Sequence, residues 1–305
     1  MSEEIKKYTD VIRYGKSSTN GVLQEGDIIS ITEKIDGSNA SFRTDETSPT
    51  GISCYSRNQL LDEHNTLSGF YNWVIENIIP IKDNLNPNYI YYGEYLVKHK
   101  VVYKDDYYKN FYMFSIWDIE KEQYLSDEVV ISEAKRLGLT TTNYLYIGKY
   151  QSFEHLMSFV GKSDMTLEPN TAEGIVVKNV SYFDKYNRQV FVKLVSDKFA
   201  EVQKQKLPKN PNVDDKVIVL VKSVLTKPRV EKIMYKLVDE GLLKEDYAIE
   251  DMGLILRSLG SKVYDDIMKE ESDLFVEYEE DKIKRICGKN LPNIVKLILK
   301  EQGRM

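Results

Sequence analysis

Up to about residue 200, short runs rich in Ile, Val, Tyr and Phe alternate with polar turns. The runs at 27–34, 39–43, 51–56, 89–94, 111–119, 174–178 and 190–195 have the length and side-chain type of strands. Between them, apolar positions at helical spacing predict helices over 67–79, ending before Pro80, and over 126–137, from Ser126 to Gly138. A third runs over 152–160, from Ser152 to Gly161. Strands dominate without regular strand–helix alternation, so the expected class is α+β, built on antiparallel sheets with flanking helices. Lys206-Leu207-Pro208-Lys209-Asn210-Pro211-Asn212 reads as a linker. Beyond it the pattern is helical throughout, over 215–225, 228–239, 245–259 (ending at Gly260), 262–279 and 291–301. The expectation is therefore two domains, a mixed one over 1–208 and a small all-helical one over 212–305.

A chain of 305 residues with 42% hydrophobic and 30% charged side chains can bury sizeable cores in two such domains. The apolar run at 74–81 is interrupted by Glu76 and Asn77, and none approaches the roughly 20 apolar residues of a membrane span. The first residues, Met-Ser-Glu-Glu-Ile-Lys-Lys, lack an apolar signal region, so export is not expected. Two cysteines, Cys54 and Cys287, and three scattered histidines offer neither a disulfide framework nor a zinc cluster, and a reducing cytoplasm is the expected compartment.

The net charge of −6 argues against indiscriminate coating of nucleic acid but leaves room for local binding. Lys98, His99, Lys100, Lys104 and Lys109 are interleaved with Tyr95, Tyr103, Tyr107 and Tyr108, and Lys198, Lys204, Lys206 and Lys209 form a second basic group. Such lysines can contact phosphates while tyrosines stack on bases. They equally describe a solvated lysine face with half-buried tyrosines, and composition does not choose between the two.

The candidate chemistry begins at Glu33-Lys34-Ile35-Asp36-Gly37-Ser38-Asn39, a lysine at a strand end followed by Asp-Gly. As a nucleophile Lys34 needs a lowered pKa, since an ordinary lysine is neutral in only about one molecule in 2,500 at pH 7. Burial, neighbouring cations and a bound metal are the expected means. Arg57, after the strand that follows the lysine hairpin, has a guanidinium suited to gripping a phosphate. Glu94, beside Gly93, can accept hydrogen bonds from ribose hydroxyls, and Phe114 can stack on a purine. In Glu173-Gly174-Ile175-Val176-Val177-Lys178, Glu173 can hold a magnesium ion, and alternation puts Lys178 on the other face. Lys193 is a further cation for phosphate oxygens. Singly, each has a plainer reading: a surface lysine or arginine, a half-exposed strand glutamate, a core phenylalanine.

In this order and spacing the stretches resemble the covalent nucleotidyl transferases, and among them the ATP-dependent RNA ligases of the RNA ligase 2 type. The stretch from Glu33 to Asn39 is similar to the family's first motif, Tyr92-Gly93-Glu94-Tyr95 to its third, and Phe111-Tyr112-Met113-Phe114 to the aromatic motif that follows. The stretch from Glu173 to Lys178 is similar to the fourth, and Phe191-Val192-Lys193-Leu194-Val195-Ser196-Asp197-Lys198-Phe199 to the fifth; the likeness spans about 27–205. It implies an ATP-grasp-like adenylyltransferase domain followed by a helical appendage. It also implies a ligase that takes AMP from ATP onto Lys34, passes it to an RNA 5′-phosphate and seals a 3′-hydroxyl end, nicked or paired.

By the same resemblance Lys34, Glu173 and Lys193 are catalytic, and Glu173 carries Mg2+ or Mn2+. Glu33, Ile35, Asn39, Arg57, Glu94, Phe114, Lys178 and Lys193 surround the nucleotide, with Asn39 also placed to organise metal-bound water or the nicked end. A monomer is expected. Two positions depart from the pattern: Val195 stands where a second lysine is usual, and Ser115 where an aspartate commonly follows the aromatic. A ligase preferring DNA or mixed-duplex nicks, and a non-catalytic nucleotide- or RNA-binding homologue, are the alternatives.

Overall fold

Alternation along the strands gives each sheet one face to bury, and the computed structural model, which describes residues 6–200 and 213–305, builds two sheets from them. The first has the order β1 (Val11–Arg13), β11 (Gln189–Val195), β10 (Gly174–Phe183), β2 (Ile28–Lys34), β9 (Tyr144–Lys149). The second has the order β4 (Ile52–Ser56), β3 (Ser38–Thr44), β5 (Tyr89–Tyr95), β6 (Phe111–Asp118), β7 (Gln123–Tyr124), with β8 (Thr140–Thr141) also beside β6. Pairing is antiparallel, as expected, apart from β1 on β11 and β8 on β6, which are parallel. The four strands not anticipated are β1, β7, β8 and β9. Three of them are two or three residues long, too short for a periodicity to register.

The helices start and stop for local reasons. α1 (Phe70–Asn77) begins three residues later than its apolar spacing suggests, because Leu67, Ser68 and Gly69 all have positive φ, at 49°, 52° and 102°. Pro80 does not stop the chain's helical course. It sits at the start of a 3-10 segment, Ile79–Asn84, where its missing N–H would have no intrahelical partner. α2 (Asp127–Leu137) follows Ser126 and ends on Gly138 at φ 71°. α3 (Phe153–Met157) is capped by Ser152, whose hydroxyl accepts from the His155 N–H.

Each outer sheet face buries its own cluster. Ile29, Ile31, Ile175, Val177 and Val192 of the first sheet pack with Leu156 of α3. Phe42, Tyr91, Phe111 and Met113 of the second pack with Phe70 and Val74 of α1 and Val130 of α2. A further cluster joins the sheets, with Ile90, Tyr92 and Tyr124 from the second, Phe191 from the first, and Tyr8 inserted from the N-terminal segment.

Contacts divide the chain into two compact units, Met1–Ser196 and Asp197–Met305. The linker expected at 206–212, the expected 208/212 boundary, and Lys204, Lys206 and Lys209 of the second basic group lie outside the described residues. In the second unit α4 (Val213–Val224), α5 (Lys227–Asp239), α6 (Met252–Glu271) and α7 (Glu280–Glu301) pack around Val221, Ile233, Leu259, Val263, Ile286 and Val295. No strand occurs among its described residues.

Several expected boundaries differ: α3 stops at Met157 rather than 160, and the helix expected over 262–279 is the end of α6, which stops at Glu271. Gly260 lies inside α6, which starts at Met252 rather than near 245, and 291–301 is the second half of α7, with Pro292 inside it. A single glycine or proline costs a helix about 1–3 kcal/mol, and buried side chains on either side outweigh that. Arg229 of α5, fully buried, is held by Asp266 at 2.5 Å and Glu271 at 3.2 Å. No described helix is long and apolar enough to cross a membrane.

Candidate functional site

β2 ends at Lys34, and residues 35–37 carry the chain out of the first sheet to β3 in the second. The lysine therefore sits where the sheets meet, and not in a hairpin as its sequence suggests, since β2 and β3 do not pair. The crossing is tight. A Cβ on Gly37 would fall 2.7 Å from the Tyr95 carbonyl oxygen and 3.1 Å from Glu94 Cγ, so only glycine fits. Gly174, opposite Lys34 on β10, is equally constrained, because a Cβ there would fall 2.1 Å from the Leu194 carbonyl oxygen.

Four acidic or cationic side chains gather around the lysine. Lys34 Nζ donates to Glu173 Oε2 at 2.7 Å. Glu94 accepts from the Gly37 N–H at 3.2 Å and stands directly across the ladder from Asn39. Asp36 Oδ2 accepts from the Lys100 and Val101 N–H groups at 2.9 and 2.8 Å, and its Oδ1 lies 3.5 Å from His99 Nδ1. The Asp36 N–H in turn donates to the Tyr103 hydroxyl at 2.8 Å. Burial holds the Glu173 carboxyl above its ordinary value, against the pull of Lys34 and of Lys193 on the strand beyond β10.

This charge distribution reverses one expectation. Burial does pull the Lys34 amine down, but Glu173, Glu94 and Asp36 outweigh it and hold the amine above its ordinary value. Three carboxylates, not the cations expected to lower it, dominate the shift of this amine. Glu94 shows the complementary effect, with burial pushing its carboxyl from 4.5 up to about 7 against the pull of Lys34 and His99. Asp36 goes the other way, with burial outweighed by His99, the Val101 N–H and Lys34, which hold it low.

The remaining candidates are distributed unevenly. Ile35 is buried in the crossing. Glu33 alternates to the face away from Lys34, where its Oε2 accepts from Asn143 Nδ2 at 2.7 Å. Its Oε1 is buried with no hydrogen-bond partner among the described residues. Phe114 is the extra residue of a β-bulge, since Tyr92 pairs Ser115 while Gly93 pairs Met113. The bulge leaves its half-buried ring 4.8 Å from that of Tyr8. Arg57 is already engaged, with Nη2 donating to Asp10 Oδ1 at 2.5 Å and contacting the Tyr8 carbonyl at 3.5 Å.

Lys178 is not beside Lys34. It pairs with Ser30, four residues and about 13 Å along the strand from Gly174. There, buried, it donates to Asp127 Oδ1 at 2.7 Å and to the Phe114 carbonyl at 2.5 Å. It shares parity with Gly174 and so the face of Lys34, while Glu173 reaches that face from just before the strand. Val195 pairs Gly174 and thus flanks the site, and Lys198 falls in the second unit.

Sequence reading missed Asn143 and Asp127, and it named His99 and Tyr103 only as members of a basic, tyrosine-rich surface, not as the neighbours of Asp36. Only Asp127, an acidic residue in a helix's first turn after Ser126, carried a local signal, and that signal spoke of the helix end. Asp118, the nearest acid downstream of Ser115, is occupied in a turn, accepting from the Glu120 and Lys121 N–H groups. Among the described residues no group of three His, Cys, Asp or Glu side chains forms a metal centre. A donor set of Glu173 with Glu94 nearby suits a magnesium-like ion that takes its other oxygens from phosphate and water.

Three comparisons bear on this geometry. A family model described as RNA ligase matches residues 27–195. A search of curated proteins found no match. Among solved structures, an apo variant of Naegleria gruberi RNA ligase is 22% identical, with TM-score 0.47, covering 64% of this chain and 57% of that one. The same ligase with PPi is 21% identical at TM-score 0.47 (64% and 57%), and a variant with ATP and Mn is 20% identical at 0.42 (63% and 56%). The chain thus spans less than two thirds of the length of these structures.

Proposed function

Because the chain belongs to the RNA ligase family, we propose that it is an ATP-dependent RNA ligase joining 5′-phosphate and 3′-hydroxyl ends through lysyl-AMP. It would work as a monomer in the cytoplasm, with residues 1–208 as the adenylyltransferase domain. In the first step Lys34 Nζ, having lost a proton, attacks the α-phosphorus of ATP; a P–N bond forms and the P–O bond to pyrophosphate breaks. In the second, an RNA 5′-phosphate oxygen displaces Lys34 from that phosphorus. In the third, the 3′-oxygen, giving up its proton, attacks the 5′-phosphorus and AMP leaves.

The observation that carries this reading is the placement of Lys34 at the crossing between the sheets, in contact with Glu173 and beside Glu94 and Asp36. These carboxylates keep the free enzyme's amine protonated, and their engagement by substrate is what would release it. Glu94 would accept from the ribose hydroxyls, and Glu173 would hold Mg2+ or Mn2+. A divalent cation there neutralises charge on the phosphate oxygens. With both engaged, only Asp36 still opposes burial, and the amine's pKa would fall. Lys193 would meet phosphate oxygens, Phe114 would stack on adenine, and Asn39, across from Glu94, would reach the same ligands.

Intact-mass measurement after pyrophosphate treatment, then ATP with magnesium, tests the first step. An AMP adduct specific to ATP over GTP and absent from Lys34→Ala is expected. Undiminished sealing by Lys34→Ala would sink the assignment. Nicked RNA, nicked DNA, mixed-duplex and single-stranded substrates then separate RNA sealing from its relatives. Val195, flanking the site where a second cation is usual, is the observation favouring the alternative of a binding protein without turnover. That reading requires ATP binding with no pyrophosphate release.

A further inference from the structure

One surface of the second unit is not absorbed by nucleotide transfer. On α7, Arg285, Lys289, Lys296 and Lys300 recur at intervals of four, seven and four residues. At 3.6 residues per turn they fall within an arc of about 60° and extend about 22 Å along the axis. All four are exposed, as is Asn293 at the edge of the arc. No hydrogen bond or ion pair involves their side chains among the described residues. Elsewhere on the same helix Lys284 does pair, with Glu280 four residues before it. The acidic residues of α7, Glu280, Asp281 and Glu301, all lie outside the arc.

Such a stripe is unfavourable in isolation. Like charges four residues apart repel by a few tenths of a kcal/mol per pair, and both Arg285/Lys289 and Lys296/Lys300 are such pairs. No ion pair to these four side chains among the described residues offsets that repulsion. A linear polyanion would. The whole chain is net negative, so a long-range field does not gather polyanions and a local row of cations must.

The opposite side of α7 identifies which polyanion. Ile283, Ile286, Leu291, Val295, Ile298 and Leu299 are buried in the core of the unit. The helix therefore has no apolar face left to enter a lipid surface, as a membrane-bound amphipathic helix requires. We propose that the Arg285–Lys289–Lys296–Lys300 face is a phosphate-tracking surface for the RNA substrate. It holds the backbone without reading bases, by displacing counterions from about four phosphates. The proposal rests on the RNA-ligase reading for its partner and concerns a surface distinct from Lys34.

The test compares the full chain with a variant carrying Arg285→Gln, Lys289→Gln, Lys296→Gln and Lys300→Gln. Glutamine is a good helix former, and circular dichroism checks that the helices persist. Binding of a fluorescent nicked RNA duplex is followed by anisotropy between about 50 and 200 mM salt. The slope of log K against log salt should become shallower by about 3.6 in the variant. Lys284→Gln, one charge off the arc, should leave it unchanged. AMP transfer onto Lys34 from ATP alone should be equal in both proteins, while sealing at sub-saturating RNA slows.

An unchanged salt slope overturns the proposal. So does loss of binding to phosphatidylserine vesicles with RNA binding intact, which would assign the stripe to a lipid surface. Absence of an AMP adduct on the unmodified chain would instead overturn the preceding reading, and the binding measurement, which needs no catalysis, still decides the stripe.

Discussion

Glu94→Gln isolates the carboxyl whose environment is most altered. In the folded chain its pKa is pushed from 4.5 up to about 7, chiefly by burial. A carboxyl raised on folding binds more protons folded than unfolded, so its contribution favours the folded state below 4.5. That contribution is lost as pH rises through 7. Working the two pKa values through the linkage relation, wild type loses about 2.5 kcal/mol between pH 5 and pH 8.5 from this group alone. About four fifths of that loss falls below pH 7.

Glutamine cannot ionise, and its amide oxygen can replace the carboxylate oxygen that accepts from the Gly37 N–H. The variant should therefore gain on wild type by about 2.5 kcal/mol over this range, a shift in urea midpoint of about 1 M. Both tryptophans, Trp73 and Trp117, lie in the first unit, so fluorescence follows its unfolding alone. A midpoint difference that is the same at pH 5 and pH 8.5 would refute the raised pKa. It would also remove the argument that Glu94 and Lys34 share one electrostatic balance.

Two further substitutions probe the frame of the site. Gly174→Ala puts a Cβ 2.1 Å from the Leu194 carbonyl oxygen, backbone that cannot swing aside, so a loss of about 3 kcal/mol or more in urea unfolding is expected. A loss below about 1 kcal/mol would mean that β10 and β11 can separate there. Lys178→Met strands Asp127 in the interior and should cost about 3–5 kcal/mol, whereas Lys178→Met with Asp127→Asn should recover much of it. Additive losses in the double variant, measured by the same unfolding, would show that the pair is not coupled.

The resemblance written into five short stretches found the segments that converge. Lys34, Glu94 and Glu173 do meet, although 139 residues separate the first from the last. Alternation within the strands explains why Asn39 and Glu94 share a side and why Glu33 faces away from Lys34. Helix ends were legible at Ser152 and Gly138, where a cap and a left-handed glycine marked them, but α3 stops at Met157, short of left-handed Gly161. They were misread at Gly260 and Pro292, where packing on both sides of the residue outweighs its local cost.

Seven of the eleven strands, the helical C-terminal region and the identity of the chemical groups were legible beforehand, because these follow from periodicity and residue type. The charge state of those groups was decided only by the tertiary structure. Lys34 is held protonated by carboxylates arriving from three separate segments, and Lys178 is withdrawn into a buried pair with Asp127. A local pattern records which side chains a strand carries. Electrostatic energy depends on distances between strands far apart in the chain, and only the register of the sheets and the crossing at Gly37 set those distances.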